Sequence, residues 1–552
     1  MSSFADRVRA RVDDDHLALL FGDERWTYRE WAAEVATRAD LWRSMRLPAA
    51  PHIGVLLENV PDFTMWLGAA AVSGATIVGI NPTRRGAELA RDITYTECQL
   101  VVTERSQLDL LDGLDLGASN TRVLVVDDPA YDEALQAHRG SPLPAEPVDP
   151  ATQLLLLFTS GTSGAPKAVI TTHARLESVT GAMTAITSLT AEDVTYISMP
   201  LYHSNALFTA WAPSVAVGAA VALRRKFSAS EFLPDVRRYG ATYFDYVGKP
   251  LAYILATPEQ PDDADNPLQR GYGNEASEAD LARFQERFGC TLTDGYGQTE
   301  TGAAIVRVPD MPAGSLGVPA QPTVVVLDPA TGEECPPARF DADGRLLNAD
   351  EATGEIVNLG GGSFEGYWNN AEANHERMRD GAYWSGDLAY RDAAGFFYFA
   401  GRSADWLRVD GENFAGAPIE RILARFPGLL LAAVYGVPDP QAGDRVMACL
   451  QLTPGTSFDP DAFAAFLAAQ PDLGPKWVPT FVRVADELPM TQTNKVLKRV
   501  LVNQRWHPGP PEAGDVVWWR PGRELSFVQL SADEAEELRR RFALHGRAHL
   551  VE

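Results

Sequence analysis

Residues 158–167 read Phe-Thr-Ser-Gly-Thr-Ser-Gly-Ala-Pro-Lys, and an unbroken apolar run, Leu154–Phe158, leads into them. A short apolar run of that kind predicts a buried strand, and Ala168–Thr172 predicts a second one directly after the loop. Gly161 and Gly164 let the backbone turn tightly enough for successive N–H groups to face one anion. Thr159, Ser160, Thr162 and Ser163 add hydroxyls, and Lys167 adds a positive charge. The glycine that precedes Lys-Ser/Thr in a Walker A loop is missing. A flexible Gly/Ser linker would not be framed by two buried strands and closed by proline and lysine. The stretch therefore predicts a phosphate-holding loop.

Outward from this loop, the chain alternates short apolar runs with helical patterns. His52–Leu57, Thr76–Gly79, Leu100–Val102 and Val123–Val126 read as strands, and Phe63–Val72 reads as a helix. That rhythm predicts a parallel sheet with crossover helices. Pro142–Pro150 is proline-rich and reads as a joint within a large lobe. The texture changes at residues 402–411 to a compact unit with strands at Leu430–Val437 and Val446–Leu452 and a helix at Asp461–Ala469. Three parts are predicted: 1–401, 402–505 and an extension, 506–552, that ends in an amphipathic helix near Ala532–Leu544.

A chain of 552 residues can bury several cores, and its formal net charge of −26 argues against non-specific binding of nucleic acid. The cysteines Cys98, Cys290, Cys335 and Cys449 are far apart and read as buried thiols, not as a zinc site or a disulfide framework. The N-terminal stretch has no signal-peptide pattern. The longest weakly polar stretch, Trp211–Leu223, is shorter than the ~20 residues a membrane span needs. A cytoplasmic protein without a transmembrane segment is expected, with peripheral membrane contact and a homodimer left open.

Four more motifs follow in order. Pro200-Leu-Tyr202-His203 could wall an apolar pocket or end a core strand. Gly271-Tyr-Gly-Asn274-Glu275-Ala276 reads equally as a base-reading loop or as a glycine turn before a helix at Glu278–Phe288. Asp294-Gly295-Tyr296-Gly297-Gln-Thr299-Glu300 offers a hard carboxylate oxygen of the kind Mg²⁺ prefers. Tyr383-Trp-Ser-Gly-Asp387 ends in a carboxylate able to accept from two hydroxyls. Further on come Gly401-Arg402 and Pro489-Met-Thr-Gln-Thr-Asn494-Lys495.

Together these motifs resemble, over roughly residues 15–505, the adenylate-forming superfamily of acyl-CoA synthetases, luciferases and adenylation domains. The pattern G-R-x-x-D-x-x-R-x-x-G-E-N from Gly401, with Ala404 where two aspartates are usual, resembles the fatty acid transport protein branch and its actinobacterial fatty-acyl-CoA synthetases. Asn494 before the lysine and the sequence at 273–276 resemble the same branch. The resemblance implies an α/β fold: a large lobe of parallel-sheet subdomains with a β-barrel-like portion, and a small, mobile α+β C-terminal domain.

It also implies ATP, Mg²⁺ and coenzyme A, with a small-molecule carboxylic acid as substrate. Residues 159–164 and Lys167 would hold phosphate, and Asn274, Glu275, Ala276 and Asp294–Gly297 would surround adenine, with Tyr296 stacked on it. Thr299 would touch the α-phosphate. Glu300 and Thr159 would bind the metal, Asp387 the ribose, and Arg402 ribose or phosphate near the hinge. Gly411 would let pantetheine pass, and Lys495 would touch both carboxylate and α-phosphate. Tyr202, His203, Tyr246, Gly302, Ala303 and Ala304 would shape the acyl pocket. The expected activity is formation of acyl-AMP from a medium- or long-chain acid, then of acyl-CoA. Other acceptors or acids, including a carrier protein, an amine or nitrite, and a nucleotide binder that has lost catalysis, are competing readings.

Overall fold

Pro61–Ser73 shows how local sequence becomes buried structure. Pro61 sits at the helix start, where its missing N–H costs nothing, and Gly74 closes the helix in the left-handed region at φ 68°. The helix is apolar all round, so it lies in the interior, and a Cβ at Gly68 would press into Val35 and Trp31 of the helix Tyr28–Met45. The computed structural model describes residues 2–551 except 121, 160–166, 277, 343–345, 403–405, 410–411, 441–442, 492–495, 508–514, 523 and 546; for residues 402, 406, 408, 412, 413, 415 and 549 it describes the backbone only.

Two predominantly parallel sheets make up most of the large lobe. The first runs in the order Val123–Val125, Leu100–Thr103, His52–Leu56, Thr76–Gly79, Gln153–Phe158, Ala168–Thr172, and only its last pair is antiparallel. The second places Tyr243–Val247 between Val194–Ile197 and Arg270–Asn274, with Thr291–Asp294 at one edge. The unbroken apolar runs are explained by this architecture, since helices cover both faces of such sheets. The portion expected to resemble a barrel takes the form of an antiparallel sheet built from Val324–Leu327, Gly354–Asn358, Ala382–Arg391, Met378–Arg379 and Phe397–Arg402.

The small C-terminal unit is built on a five-stranded sheet, Leu429–Pro438, Asp444–Leu452, Phe481–Val484, Val516–Trp519, Val528–Gln529. Its last two strands come from the segment read as an extension, so that segment completes the sheet. Val434, Val446, Ala448 and Val482 pack on one face against Ile419, Phe463 and Leu467. Tyr435, Met447 and Phe481 pack on the other against Trp506, Leu538 and Phe542. The terminal helix Ala532–Leu544 thus covers a face that would otherwise be open.

Candidate active site

The C-terminal ends of the second sheet's strands open into a cleft of about 2380 Å³ that reaches the small unit. Ligand sites in parallel α/β sheets lie at such strand ends. The loop carrying Tyr202 and His203 is held there by buried Asn59, whose Oδ1 accepts from Leu201 N at 2.9 Å and whose Nδ2 donates to Met199 O at 2.9 Å. Both aromatic residues line the cleft, with ring centroids 4.4 Å apart.

Asn274 ends the strand Arg270–Asn274 and donates its side-chain amide to Gly295 O, so the two glycine-rich loops are tied together. Asp294 Oδ2 accepts from Ala276 N at 2.9 Å. Burial pushes the Asp294 carboxyl up to about 7. Glu275 adopts φ 67° and Thr301 φ 46°, conformations disfavoured for side-chain-bearing residues, and both line the cleft.

Tyr296 and Gln298 both hold the Asp387 carboxylate. Its Oδ2 accepts from Tyr296 OH at 2.9 Å and from Gln298 Nε2 at 2.5 Å. Gln298 also donates to Ser385 O at 3.0 Å and accepts from Tyr383 OH at 2.8 Å. Glu300, only 7% exposed, accepts from Tyr367 OH at 2.7 Å, and Arg377 Nε donates to that phenol oxygen at 3.3 Å. Buried Arg175 donates to Thr299 O and, at 2.9 Å, to Thr301 Oγ1, which holds the turn bearing Glu300. Thr299 Oγ1 is 2.8 Å from Ser204 Oγ.

Lys167 lines the same cleft, its Nζ 3.4 Å from Glu376 Oε2 and 5.8 Å from the centre of the Tyr367 ring. Thr159 N donates to Lys167 O at 3.0 Å, which keeps Thr159 at the hairpin base and on the cleft wall. Gly295, Gly297, Gly302, Ala303 and Ala304 are also in the wall. A Cβ at Gly302 would overlap the Tyr383 ring, so glycine is needed for packing as well as for space. Across the cleft, Lys249 Nζ lies 2.5 Å from Met490 Sδ of the small unit, and burial lowers its pKa to about 7.

Ser160, Gly161, Thr162, Ser163, Gly164, Gly411 and Lys495 lie outside the described residues, as does the Arg402 side chain. One assignment needs correction. Tyr246 does not face the acyl side of the cleft, because side chains alternate along its strand and its ring joins the core of Phe232, Phe244 and Phe284 on the other face. Its hydroxyl donates to Thr293 O at 3.1 Å and so supports the loop behind Asp294. Its neighbour Val247 lines the cleft instead. Gln298, Tyr367, Arg175 and Arg377 were not foreseen as members of the site. Gln298 stands inside the motif 294–300, but nothing in sequence shows that its amide reaches a residue 89 positions away.

Residues 6–368 match the AMP-binding enzyme family, and residues 418–495 match the AMP-binding enzyme C-terminal domain. The chain is 50% identical over 543 residues to the steroid-22-oyl-CoA synthetase of Rhodococcus jostii (strain RHA1), covering 98% of this chain and 97% of that protein. It is 50% identical over 497 residues to the medium/long-chain-fatty-acid–CoA ligase FadD17 of Mycobacterium marinum (strain ATCC BAA-535 / M), covering 89% and 94%. The solved anthranilate CoA ligase AuaEII, in complex with anthranoyl-AMP, shares the fold with a TM-score of 0.80 at 20% identity, covering 90% of this chain and 96% of that one. The chain belongs to the AMP-binding enzyme family. Within it, it is an adenylate-forming ligase of the acid–thiol kind.

Proposed function

We propose that this ligase activates a medium- or long-chain acid, or a polycyclic acid of comparable bulk, with ATP and transfers the acyl group to coenzyme A. The observation that carries this reading is the group of apolar residues in the cleft wall, among them Val179, Met183, Ile186, Phe208 and Val247, in the same cleft that Thr299 and Glu300 line. A fatty or steroid acid can bury its body there and present its carboxylate to the nucleotide site.

In the first step a carboxylate oxygen attacks the α-phosphorus of ATP; the new O–P bond forms as the bond to the β-phosphate oxygen breaks, and pyrophosphate leaves. In the second, the coenzyme A thiolate attacks the acyl carbon, the bond to the phosphate oxygen breaks, and AMP leaves. The protein's part is positioning and electrostatics. Asp387 accepts from the ribose hydroxyls. Tyr296 and the segment Asn274–Ala276 hold adenine. Lys167, Thr159 and residues 160–164 hold phosphate. Lys495 bridges carboxylate and α-phosphate in the first step. Gly411 lets pantetheine through in the second, after the small unit has turned about the segment near Arg402.

The Glu300 carboxylate and Thr159 hydroxyl are hard oxygen donors and suit magnesium. Among the described residues no cluster of three or more His, Cys, Asp or Glu forms a protein cage, which fits an ion held largely by substrate phosphates and water. Bound there, Mg²⁺ would offset charge on the transferring phosphate. No helix among the described residues is long and apolar enough to cross a membrane. The use of ATP and coenzyme A as substrates supports the reading of a cytoplasmic reaction.

The test is a split of the two half-reactions. Lys495→Ala should abolish pyrophosphate release with every acid while acyl-AMP supplied to the variant still yields acyl-CoA. Equal loss of both steps would overturn the role given to Lys495. Pyrophosphate release over an acid panel, with and without coenzyme A, tests the substrate class and the acceptor; preference for short polar acids would refute the reading of the apolar wall as an acyl site.

A further inference from the structure

Glu300 and Lys167 serve one polyphosphate in the proposed reaction, yet they come from different sheets. Glu300 stands in the turn after the strand Thr291–Asp294 of the second sheet, and Lys167 directly precedes the strand Ala168–Thr172 of the first. Tyr367 joins the two. Residues 366–368 run beside Ala168–Thr172: Ile170 N donates to Gly366 O at 3.0 Å, Trp368 N donates to Ala168 O at 2.9 Å, and Val169 and Tyr367 pair antiparallel between them. The other edge of this segment is closed by Asn374, whose Oδ1 accepts from Tyr367 N at 2.6 Å and whose Nδ2 donates to Tyr367 O at 3.0 Å. The Tyr367 ring is 1% exposed and packs with Val169, Ala373 and Phe364.

From this fixed backbone the ring faces Lys167, whose Nζ is 5.8 Å from its centre, and the hydroxyl donates to Glu300 Oε1 at 2.7 Å. The direction of that bond follows from the groups involved. Arg377 Nε, which can only donate, reaches the phenol oxygen at 3.3 Å, and a carboxylate can only accept, so the one phenol hydrogen goes to Glu300. Arg377 also donates to Trp384 O at 3.2 Å, and Gly386 leaves it room, since a Cβ there would overlap the guanidinium. Among the described residues no other hydrogen bond reaches the Glu300 carboxylate. Oε1 is thereby occupied and the plane of the group is set, while Oε2 keeps accessible surface in the cleft that Glu300 lines.

We propose that Tyr367 is a positioning residue for the first half-reaction: its hydroxyl turns the Glu300 carboxylate towards the divalent cation and keeps that cation in register with Lys167 on the same polyphosphate. This role rests on the reading of Glu300 as a magnesium ligand. Mg²⁺ demands near-ideal octahedral geometry, so a carboxylate free to turn binds it less well. Hydrogen bonds to ligating carboxylates hold them in aim. Loss of the hydroxyl should be felt as weaker metal binding and not as loss of the fold, because phenylalanine keeps the ring packing.

The experiment uses the full chain with α,β-methylene-ATP, whose carbon bridge blocks release of pyrophosphate. Mn²⁺ binding is read from the EPR signal of the free ion, against nucleotide alone. ATP–pyrophosphate exchange over a range of Mg²⁺ concentrations and thermal unfolding without ligand are measured beside it. Tyr367→Phe should raise the apparent Mn²⁺ dissociation constant by about tenfold or more, the usual consequence of losing a hydrogen bond to a metal ligand. The Mg²⁺ needed for half-maximal exchange should rise with it, while the rate at saturating Mg²⁺ changes less. Glu300→Gln should weaken Mn²⁺ binding at least as much.

An Mn²⁺ dissociation constant within about twofold of wild type in Tyr367→Phe, alongside weakened binding in Glu300→Gln, would overturn the proposal and leave the hydroxyl a packing contact. A fall in exchange by the same factor at every Mg²⁺ concentration would overturn it too. Unchanged Mn²⁺ binding in Glu300→Gln would instead overturn the reading of Glu300 as a metal ligand, and the role of Tyr367 with it.

Discussion

Replacing Gln298 by leucine tests the geometry around Asp387 most directly. Leucine keeps most of the bulk but removes the donor 2.5 Å from Asp387 Oδ2, the donor to Ser385 O, and the acceptor for Tyr383 OH. A hydrogen bond to a charged group contributes about 1.5–3 kcal/mol. At 1.4 kcal/mol per factor of ten, loss of the Asp387 contact corresponds to about 10- to 100-fold. Tyr296 OH still holds the same oxygen at 2.9 Å, so the carboxylate stays near the site but can turn. The loss should therefore appear mainly as a raised KM for ATP in ATP–pyrophosphate exchange, with kcat changed less.

Selectivity for the sugar supplies a sharper readout. If Gln298 aims Asp387 at the ribose, the penalty the wild type shows for deoxyadenosine triphosphates lacking one ribose hydroxyl should shrink in the variant. A purely structural role would lower activity with both nucleotides alike. An ATP KM within about twofold of wild type, or an unchanged penalty for the deoxy nucleotides, would refute this reasoning.

Two further outcomes follow from other parts of the fold. Arg483 is 0% exposed, pairs with Asp515 at 2.8 Å and donates to Arg505 O and His507 O, so it clamps the C-terminal segment to its sheet. Arg483→Met should cost about 3–5 kcal/mol by leaving those partners unpaired; urea unfolding measures the loss, and an unchanged midpoint would contradict the clamp. Asp294 has an ordinary pKa of 3.8 and a folded value of about 7, so the unfolded chain ionises it first and the native state loses stability as pH rises between those values. Asp294→Asn should therefore gain stability relative to wild type on going from acid to neutral pH, by at most about 4 kcal/mol, levelling off above pH ~7; a pH-independent difference in thermal unfolding would contradict it.

Local chemistry was written plainly in the chain. The apolar runs at His52–Leu56 and Gln153–Phe158 announce strands covered on both faces, and they are central or near-central in a parallel sheet. The order of Tyr202–His203, Asp294–Glu300 and Tyr383–Asp387 could be recognised because each motif is a short contiguous piece whose residues act within a few positions of one another. All three do line one cleft.

What sequence could not decide depends on pairing and facing. Val516–Trp519 looks like a stray apolar tail until Phe481–Val484 is seen to need an antiparallel neighbour. Tyr246 and Val247 are adjacent, yet strand alternation sends the tyrosine to a supporting core and the valine to the cleft wall, and only the packing of the layers settles which is which. Glu300 and Tyr367, or Gln298 and Asp387, meet across 67 and 89 residues because separate sheets bring their ends together. From sequence alone came the kind of chemistry, since backbone turns, hydroxyls and carboxylates carry it in short motifs. The tertiary structure alone decided which side chains hold those groups in place, because facing and long-range contact are properties of packed layers and not of neighbours along the chain.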